Sequence, residues 1–345
     1  MNTTVLAITM GDPAGIGPEL AILGALTLTR DDGVPTVIIG DQGRLEAAAS
    51  ILYQHRRIPS LPGFTPVADR SEIEALTGSP TTLGVVNLNN VPQSHPWGRV
   101  SEIGGEASFA YVKKAVQLAQ SGVVDAMCTA PIHKKAWELA QVPFPGHTEA
   151  LAQLSGAPHY TMMLRNQHLR VVHCTTHIAF GKIVERLTPD RIVTVAHLAY
   201  QYLQSIGIES PRMALSALNP HAGDDGLFGG EEAEILRPAL QRLDTEGIKV
   251  TGPWPADTVF ARAQAGEFDL VIALYHDQGH IAIKMLGIDT GVNQTIGLPI
   301  IRTSVDHGTA FDIAGKGIAH ETSMVYALRA ALTDARAKGR NSRPR

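Results

Sequence analysis

The sequence predicts an α/β protein with a layered α/β/α architecture and a mostly parallel β-sheet. Short apolar runs alternate with amphipathic segments along most of the 345 residues. Several of these runs are apolar at every position, which is typical of parallel strands that are covered on both faces. Glycine is frequent, with 33 residues, and aromatic residues make up only 5% of the chain, as suits a fold with many tight turns.

Nine apolar runs are the predicted strands. They are Val5–Met10, Thr36–Gly40, Leu83–Leu88, Ala126–Ile132, Thr161–Leu164, Leu169–Thr175, Met213–Leu218, Leu270–Tyr275 and Pro299–Ser304. Between them, the proline-rich and basic segment Tyr53–Pro66 is predicted to be a surface loop.

Four amphipathic segments are the clearest predicted helices. They are Gly105–Ser121, Thr188–Gly207, Glu231–Glu246 and Glu321–Ala337. In the second of these, Thr188 is the expected N-cap, Pro189 occupies the first helical position, and Gly207 ends the helix.

Length, charge and cysteine content limit the possible classes of protein. The chain fits one large α/β domain or two medium ones. No apolar run reaches the ~18 residues of a membrane helix, and the N-terminal segment shows no signal peptide. A net charge of −4 gives no basic surface for nucleic acid. Cys128 and Cys174 lie in apolar runs, so we expect buried, reduced thiols in a cytoplasmic protein.

Histidines follow three of the predicted strands. They are His177, His221 and His276. Ligands of open α/β sheets bind beyond the carboxyl ends of the strands. Neutral imidazole is the commonest transition-metal ligand, and a catalytic metal with an open position needs three protein ligands. No C-x-x-C spacing supports this site, and each histidine could instead be a core or loop residue.

Two glycine-rich segments follow strands. The first, Thr9–Glu19, is not the dinucleotide-binding fingerprint, because Leu20 occupies the third glycine position. The second, Asn219–Glu232, opens a predicted helix, and its glycines allow a ligand to approach the backbone closely. Those glycines are Gly223, Gly226 and Gly229. The spacing makes the second loop a candidate cofactor site, although it does not follow the first strand of a βαβ unit.

Candidate anion-binding residues lie in two places. Gly146–Glu149 is typical of a helix start, which is either a simple cap or an anion site. Lys284, Asn293 and Arg302 follow the third histidine. Arg302 lies in an apolar run where an unpaired charge is costly, which favours a bound anion or an ion-pair partner such as Asp306.

Seven motifs, taken together, resemble the 4-hydroxythreonine-4-phosphate dehydrogenase (PdxA) family. They are ITMGDPAGIGPE (Ile8–Glu19), TAPIHK (Thr129–Lys134), PGHTE (Pro145–Glu149), TTH (Thr175–His177), NPHAG with GLFGGEE (Asn219–Glu232), YHDQGH (Tyr275–His280) and GLPIIRTSVDHGTAFDIAG (Gly297–Gly315). The resemblance extends from residue 5 to about residue 330. His133 and Gln294 depart from the family pattern. His280-Ile281, His177–Phe180 and Ala310–Ala314 are more similar to a second branch, which acts on D-threonate or D-erythronate 4-phosphate.

The resemblance implies the two-domain fold of the isocitrate and isopropylmalate dehydrogenase class, with the active site in the interdomain cleft. The implied first domain comprises residues 1–133 and 305–345. The implied second domain comprises residues 134–304 and carries the metal ligands and a dimer interface. A homodimer whose subunits share residues in each site is also implied, with no nucleic-acid or membrane partner.

The resemblance also assigns residues. His177, His221 and His276 match metal ligands for Zn²⁺, Mg²⁺, Mn²⁺ or Co²⁺. The matches to substrate contacts are His147, Thr148, Lys284, Asn293 and Arg302. NAD would lie near the loop with Gly223, Gly226, Gly229 and Glu232, and near Asn293.

The implied reaction is oxidation of a secondary alcohol β to a carboxylate by NAD⁺, followed by loss of CO₂. The substrate would be a 4-phosphorylated 3-hydroxy acid. Lys284, Asp277 or a metal-bound hydroxide could remove the hydroxyl proton. The alternatives are a cis-dihydrodiol dicarboxylate dehydrogenase of the same family and a non-catalytic protein that binds a phosphorylated metabolite. His147-Thr148 and Arg302 argue against the first, and the three histidines argue against the second.

Overall fold

A computed structural model describes residues 3–79 and 81–341 of the chain. Contacts divide it into two compact units: the first is Met1–Ala157 with Leu298–Arg336, and the second is Pro158–Gly297 with Ala337–Arg345. The domains expected from the sequence have other boundaries and stay a prediction. The last four residues of the first expected domain, 342–345, lie outside the described part of the chain.

The structure contains strands and helices in alternation. The strands are β1 (Leu6–Thr9), β2 (Thr36–Gly40), β3 (Gly63–Pro66), β4 (Thr82–Asn87), β5 (Ala126–Thr129), β6 (Thr161–Arg165), β7 (Arg170–His173), β8 (Met213–Ser216), β9 (Val250–Trp254), β10 (Leu270–Ala273), β11 (Val292–Ile296) and β12 (Arg302–Val305). The helices are α1 (Gly17–Asp32), α2 (Gln42–Gln54), α3 (Arg70–Ala75), α4 (Glu102–Gln120), α5 (Lys134–Leu139), α6 (His147–Ser155), α7 (Ile183–Arg186), α8 (Pro189–Ser205), α9 (Arg237–Thr245), α10 (Ala256–Gln264), α11 (His276–Met285) and α12 (Thr322–Asn341). A π-helical turn, Glu232–Leu236, precedes α9.

The sheet of the first unit has the strand order β3-β4-β2-β1-β5-β12, and its pairings are parallel. β1, β2 and β5 are buried at every position, as their continuous apolar runs predict. The loops after β1, β5 and β12 are joined by backbone hydrogen bonds. The Asp12 amide donates to the Pro131 carbonyl at 2.9 Å, and the Ile16 amide donates to the Thr309 carbonyl at 3.0 Å.

The sheet of the second unit has the strand order β11-β6-β7-β10-β8-β9. β6 is antiparallel to both of its neighbours, whereas β7, β10 and β8 are parallel and adjacent. α8 packs its apolar side on this sheet. Its predicted N-cap is confirmed, because the Thr188 hydroxyl accepts a hydrogen bond from the Arg191 amide.

The nine predicted strands are confirmed, mostly with shorter bounds, and three further strands are present. The surface-loop prediction for Tyr53–Pro66 is wrong at both ends, because α2 includes Tyr53 and Gln54 and one of the further strands, β3, spans Gly63–Pro66. β3 is a largely exposed edge strand, so it needs no apolar run. Cys128 and Cys174 are buried free thiols, as predicted. Within residues 3–79 and 81–341, no helix has both the length and the apolar character needed to cross a bilayer.

Candidate functional site

Two of the predicted metal ligands meet at one cavity of the second unit. His177 follows β7 and His276 follows β10, so both lie at the carboxyl edge of the parallel strands. Their ring centroids are 5.6 Å apart. Both residues line a cavity of about 270 Å³. The other lining residues are Thr176, Ile178, Phe180, Ile183, Tyr275 and Asp277.

The imidazole of His276 has a defined orientation. Its Nδ1 lies 2.6 Å from Oδ1 of Asp277. An ionised carboxylate can only accept hydrogen bonds, so in the neutral ring Nδ1 carries the hydrogen and Nε2 carries the lone pair. A histidine held by a carboxylate in this way is the usual arrangement for a metal ligand.

His221 lies on a left-handed turn after β8, the other neighbour of β10. Its φ is 53°, and every residue from His221 to Asp225 has positive φ. Non-glycine residues resist this conformation by roughly 1–2 kcal/mol each, so the surrounding structure must enforce it. The His221 ring lies 6.2 Å from that of Phe228.

Glu232 fixes the loop that carries His221. Its Oε1 accepts hydrogen bonds from the amides of Leu218 and Asn219 at 2.9 and 2.7 Å. Burial raises the pKa of Glu232, but hydrogen bonds from Asn219 outweigh it and leave the pKa below its ordinary value. Glu232, a predicted cofactor residue, therefore supports the backbone of the loop itself.

The predicted three-histidine metal site is only partly assembled. Across the described residues, no three His, Cys, Asp or Glu side chains lie together as a set that could hold a metal ion. His177 and His276 share a cavity, and the donor chemistry of neutral imidazoles fits a late transition metal. A third ligand from His221 requires a rearrangement of its turn or side chain.

α11 carries a polar row and an apolar row. His276, His280 and Lys284 are spaced by four residues and so lie along one side of the helix. Ile281 and Met285 lie along another side and are 61% and 80% exposed. His280 is not among the predicted site residues, although its four-residue spacing from His276 is present in the sequence.

Asn293, a predicted substrate contact, lies in β11. Its Nδ2 contacts Sδ of Met162 at 3.5 Å. Its Oδ1 is buried and accepts no hydrogen bond. Because a buried acceptor without a donor is costly, this oxygen is suited to a ligand that donates a hydrogen bond.

Arg302 is a buried cation in the first unit. It begins β12 and is 2% exposed. Its Nε and Nη2 donate to the Thr129 hydroxyl at 3.1 and 2.7 Å. Burial lowers its pKa to about 10, so the guanidinium stays charged at neutral pH. The contact with Thr129 is not among the sequence predictions, which named an anion or Asp306 for this guanidinium.

His147 is a neutral imidazole in the same unit, at the first position of α6. Its pKa lies well below the ordinary value, because of burial first and the positive charge of Arg302 second. Its Nε2 is buried without a hydrogen-bond partner. The half-buried Thr148 follows it, so α6 presents a ring nitrogen and a hydroxyl at its amino end.

The predicted site residues therefore belong to both units. Those of the first unit are His147, Thr148 and Arg302. Those of the second unit are His177, His221, Gly223, Gly226, Gly229, Glu232, His276, Asp277, Lys284 and Asn293.

Comparison with known proteins supplies the context for these residues. The family model described as Pyridoxal phosphate biosynthetic protein PdxA matches residues 32–331. A D-threonate 4-phosphate dehydrogenase of Cupriavidus necator is 44% identical over 94% of this chain and 95% of its own. A 4-hydroxythreonine-4-phosphate dehydrogenase of Beijerinckia indica is 43% identical over 94% of this chain and 93% of its own. A crystal structure of a 4-hydroxythreonine-4-phosphate dehydrogenase from Burkholderia phymatum matches with a TM-score of 0.85 and 43% identity, covering 97% of this chain and 99% of that chain. This likeness confirms the predicted α/β fold class.

Proposed function

Because the chain belongs to the PdxA family and is a dehydrogenase, we propose that it oxidises and decarboxylates a 4-phosphorylated 3-hydroxy acid with NAD⁺ and a divalent metal ion. The proposed substrate is 4-phospho-D-threonate or 4-phospho-D-erythronate, or alternatively 4-phosphooxy-L-threonine. Relatives named for D-threonate 4-phosphate and for 4-hydroxythreonine-4-phosphate match the chain almost equally well.

The observation that carries the proposal is the cavity beside His177 and His276, where Asp277 leaves Nε2 of His276 as a lone-pair donor. His177, His276 and His221 would hold the metal ion. When bound, Zn²⁺, Mg²⁺, Mn²⁺ or Co²⁺ supplies Lewis acidity that lowers the pKa of the substrate hydroxyl.

In the proposed reaction, bound NAD⁺ would supply the hydride acceptor for the alcohol carbon, and a base of this chain would take the hydroxyl proton. The resulting β-keto acid would lose its carboxylate as CO₂, with the bonding electrons passing to the α-carbon, which would then take up a proton from the protonated base. Asp277 is engaged with His276, so we propose Lys284, on the same helix row as His276, as the proton acceptor.

Arg302 and His147 would bind an anionic group of the substrate. Phosphate and carboxylate are the groups that a guanidinium binds through charge-assisted, often bidentate hydrogen bonds. His147 and Thr148 add a neutral nitrogen and a hydroxyl, and Asn293 offers a buried acceptor for a substrate hydroxyl. These contacts would be made by parts of the substrate that do not react, and their binding energy would hold the reacting carbon in the correct orientation.

For NAD, we propose the loop that carries Gly223, Gly226 and Gly229, with Asn293 close to the cofactor. Gly226 has a φ of 96°, and a Cβ there would meet no described atom within 4 Å. The backbone is thus open to a ligand at that point.

We further propose a homodimer that shares residues in each site. The exposed apolar row of α11, Ile281 and Met285, continues to Ile288, which is 74% exposed. Contiguous exposed apolar side chains are typical of protein interfaces. Lys284 lies on the same helix, so a partner that covers this row would contact the neighbourhood of the proposed base.

The decisive experiment measures NADH formation and CO₂ release with each of the three phosphorylated acids, with and without a chelator. We expect turnover that the chelator abolishes and added metal restores. Turnover of a cis-dihydrodiol dicarboxylate instead would favour the alternative enzyme. Tight substrate binding without NADH formation would favour a non-catalytic binding protein.

A further inference from the structure

We propose that His280 is a positioning residue that fixes the plane of the His276 imidazole. This inference rests on the proposed function, in which His276 is a metal ligand. His280 would hold the His276 ring in addition to the carboxylate of Asp277.

The first observation is a close stack of the two rings. His280 lies one helical turn after His276 on α11. Their ring centroids are 3.6 Å apart, and the rings are inclined by only 13°. Asp277 holds the edge of the His276 ring through Nδ1, and His280 covers one of its faces. Together they restrict rotation about both side-chain torsions of His276.

The second observation fixes the tautomer of His280. Its Nδ1 lies 3.0 Å from the backbone carbonyl oxygen of His276. A carbonyl oxygen only accepts hydrogen bonds, so Nδ1 carries a hydrogen, and this bond ties the His280 ring to the backbone of the residue on which it stacks.

The third observation shows what holds His280 in place. His280 is 6% exposed, and the fully buried ring of His173 lies 4.8 Å behind it. Nδ1 of His173 lies 3.5 Å from the carbonyl oxygen of Met162. A Cβ at Gly279 would lie 2.4 Å from Nε2 of His173, so α11 packs against β7 at a distance that only glycine permits. His280 is therefore backed by rigid core.

The test compares His280→Ala with His280→Phe, which keeps a flat ring but loses the hydrogen bond to the His276 carbonyl. His168→Ala, an exposed histidine before β7, is the matched control. The readouts are the Co²⁺ dissociation constant, the visible absorption of bound Co²⁺, and the Tm of the metal-free protein.

We expect His280→Ala to weaken Co²⁺ binding about tenfold to a hundredfold, the range typical of residues behind a metal ligand, and to alter the Co²⁺ spectrum. His280→Phe should recover most of the affinity, and His168→Ala should match the wild type. Wild-type affinity in His280→Ala, or no recovery in His280→Phe, overturns the stacking role.

Two further results separate this inference from the proposed function. A wild-type protein that binds no Co²⁺ contradicts the metal site and removes both proposals, whereas wild-type binding that His280→Ala leaves intact removes only this one. If the variants fail to fold, ¹⁵N NMR of the metal-free wild type tests the geometry directly. The account requires His280 protonated on Nδ1, and the opposite tautomer overturns it.

Discussion

The two units hold opposite kinds of functional group. In the first, Arg302 is a permanent positive charge buried against the neutral hydroxyl of Thr129. In the second, the half-exposed ring of His276 is held by the exposed carboxylate of Asp277. Burial of a fixed charge is costly, whereas a half-exposed imidazole at a cavity wall keeps part of its hydration. Under the proposed function, the first unit would supply anion binding and the second would supply the groups for chemistry.

The largest expected effect concerns the second unit and its proposed role in the chemical step. His276→Ala removes a lone-pair donor from the cavity, and it should lose bound metal and reduce kcat by more than about a hundredfold. The loss should exceed the tenfold to hundredfold typical of residues behind a ligand. Elemental analysis and kcat measurements check it, and a variant with full metal content and activity would contradict the site.

Arg302→Met tests the proposed binding of an anion by the first unit. It removes the buried charge while keeping an apolar side chain of similar length. Since hydrogen bonds to charged groups are worth roughly 1.5–3 kcal/mol, kcat/KM should fall about tenfold to a hundredfold.

The control for Arg302→Met is Lys113→Met, which removes an exposed cation from α4. It should leave kcat/KM unchanged. If both variants lose activity equally, bulk charge rather than the buried guanidinium explains substrate affinity.

Asp277→Asn removes the charge, but not the shape, of the side chain that contacts the His276 ring. It tests how much that charge contributes to metal binding by the second unit. We expect about a tenfold loss of metal affinity, at the lower end of the range for such partners. Titration with Co²⁺ measures it. Asp257→Asn, in the first turn of α10, is the control. An unchanged affinity would show that Asp277 does not orient the ring.

The pH dependence of local stability should have opposite signs in the two units. Burial raises the pKa of Asp12 to about 6, partly offset by the hydrogen bond from the Ala14 amide and then by His133 and Arg44. Its contribution to stability is therefore full below pH 3.8 and is lost as pH rises through 6. Burial first, and then the neighbouring His280, lowers the pKa of His173 to about 3, so its contribution is lost as pH falls below 6.5.

Hydrogen exchange, corrected for its intrinsic pH dependence, measures this contrast. From pH 6 to 4, amide protection in β1 should rise, and protection in β7 should fall, by no more than about tenfold per pH unit. Asp12→Asn should remove the dependence in β1 alone. A common trend in both strands, unaltered by that substitution, would contradict the assignment.

Sequence patterns predict the parts of this molecule that depend on local regularity. β1 and β10 are buried at every position, so each is encoded by a continuous apolar run. The end of the β10 run also indicates where His276 lies. β3 and β11 were missed, since an exposed edge strand and a strand with a polar Asn293-Gln294-Thr295 segment have no such run. The pairing of Thr129 with Arg302 joins residues 173 positions apart, which no local pattern encodes.

The stack of His280 on His276 was missed for a different reason. Its four-residue spacing has meaning only on a helix, and α11 was not among the predicted helices. Its length of 10 residues and its polar start, His-Asp-Gln-Gly-His, give a weak periodic signal. The stack of the two rings is therefore evident only once the helix itself is known.

The division into a binding unit and a chemical unit is tested most directly by kcat/KM for 4-phospho-D-threonate, 4-phospho-D-erythronate and 4-phosphooxy-L-threonine against their dephosphorylated forms. We predict that removing the phosphate from the preferred substrate lowers kcat/KM by about tenfold to a hundredfold or more, at about 1.4 kcal/mol per decade, because a buried cation loses its anion. Equal turnover of the unphosphorylated acids, or of an aromatic dihydrodiol, would contradict the account.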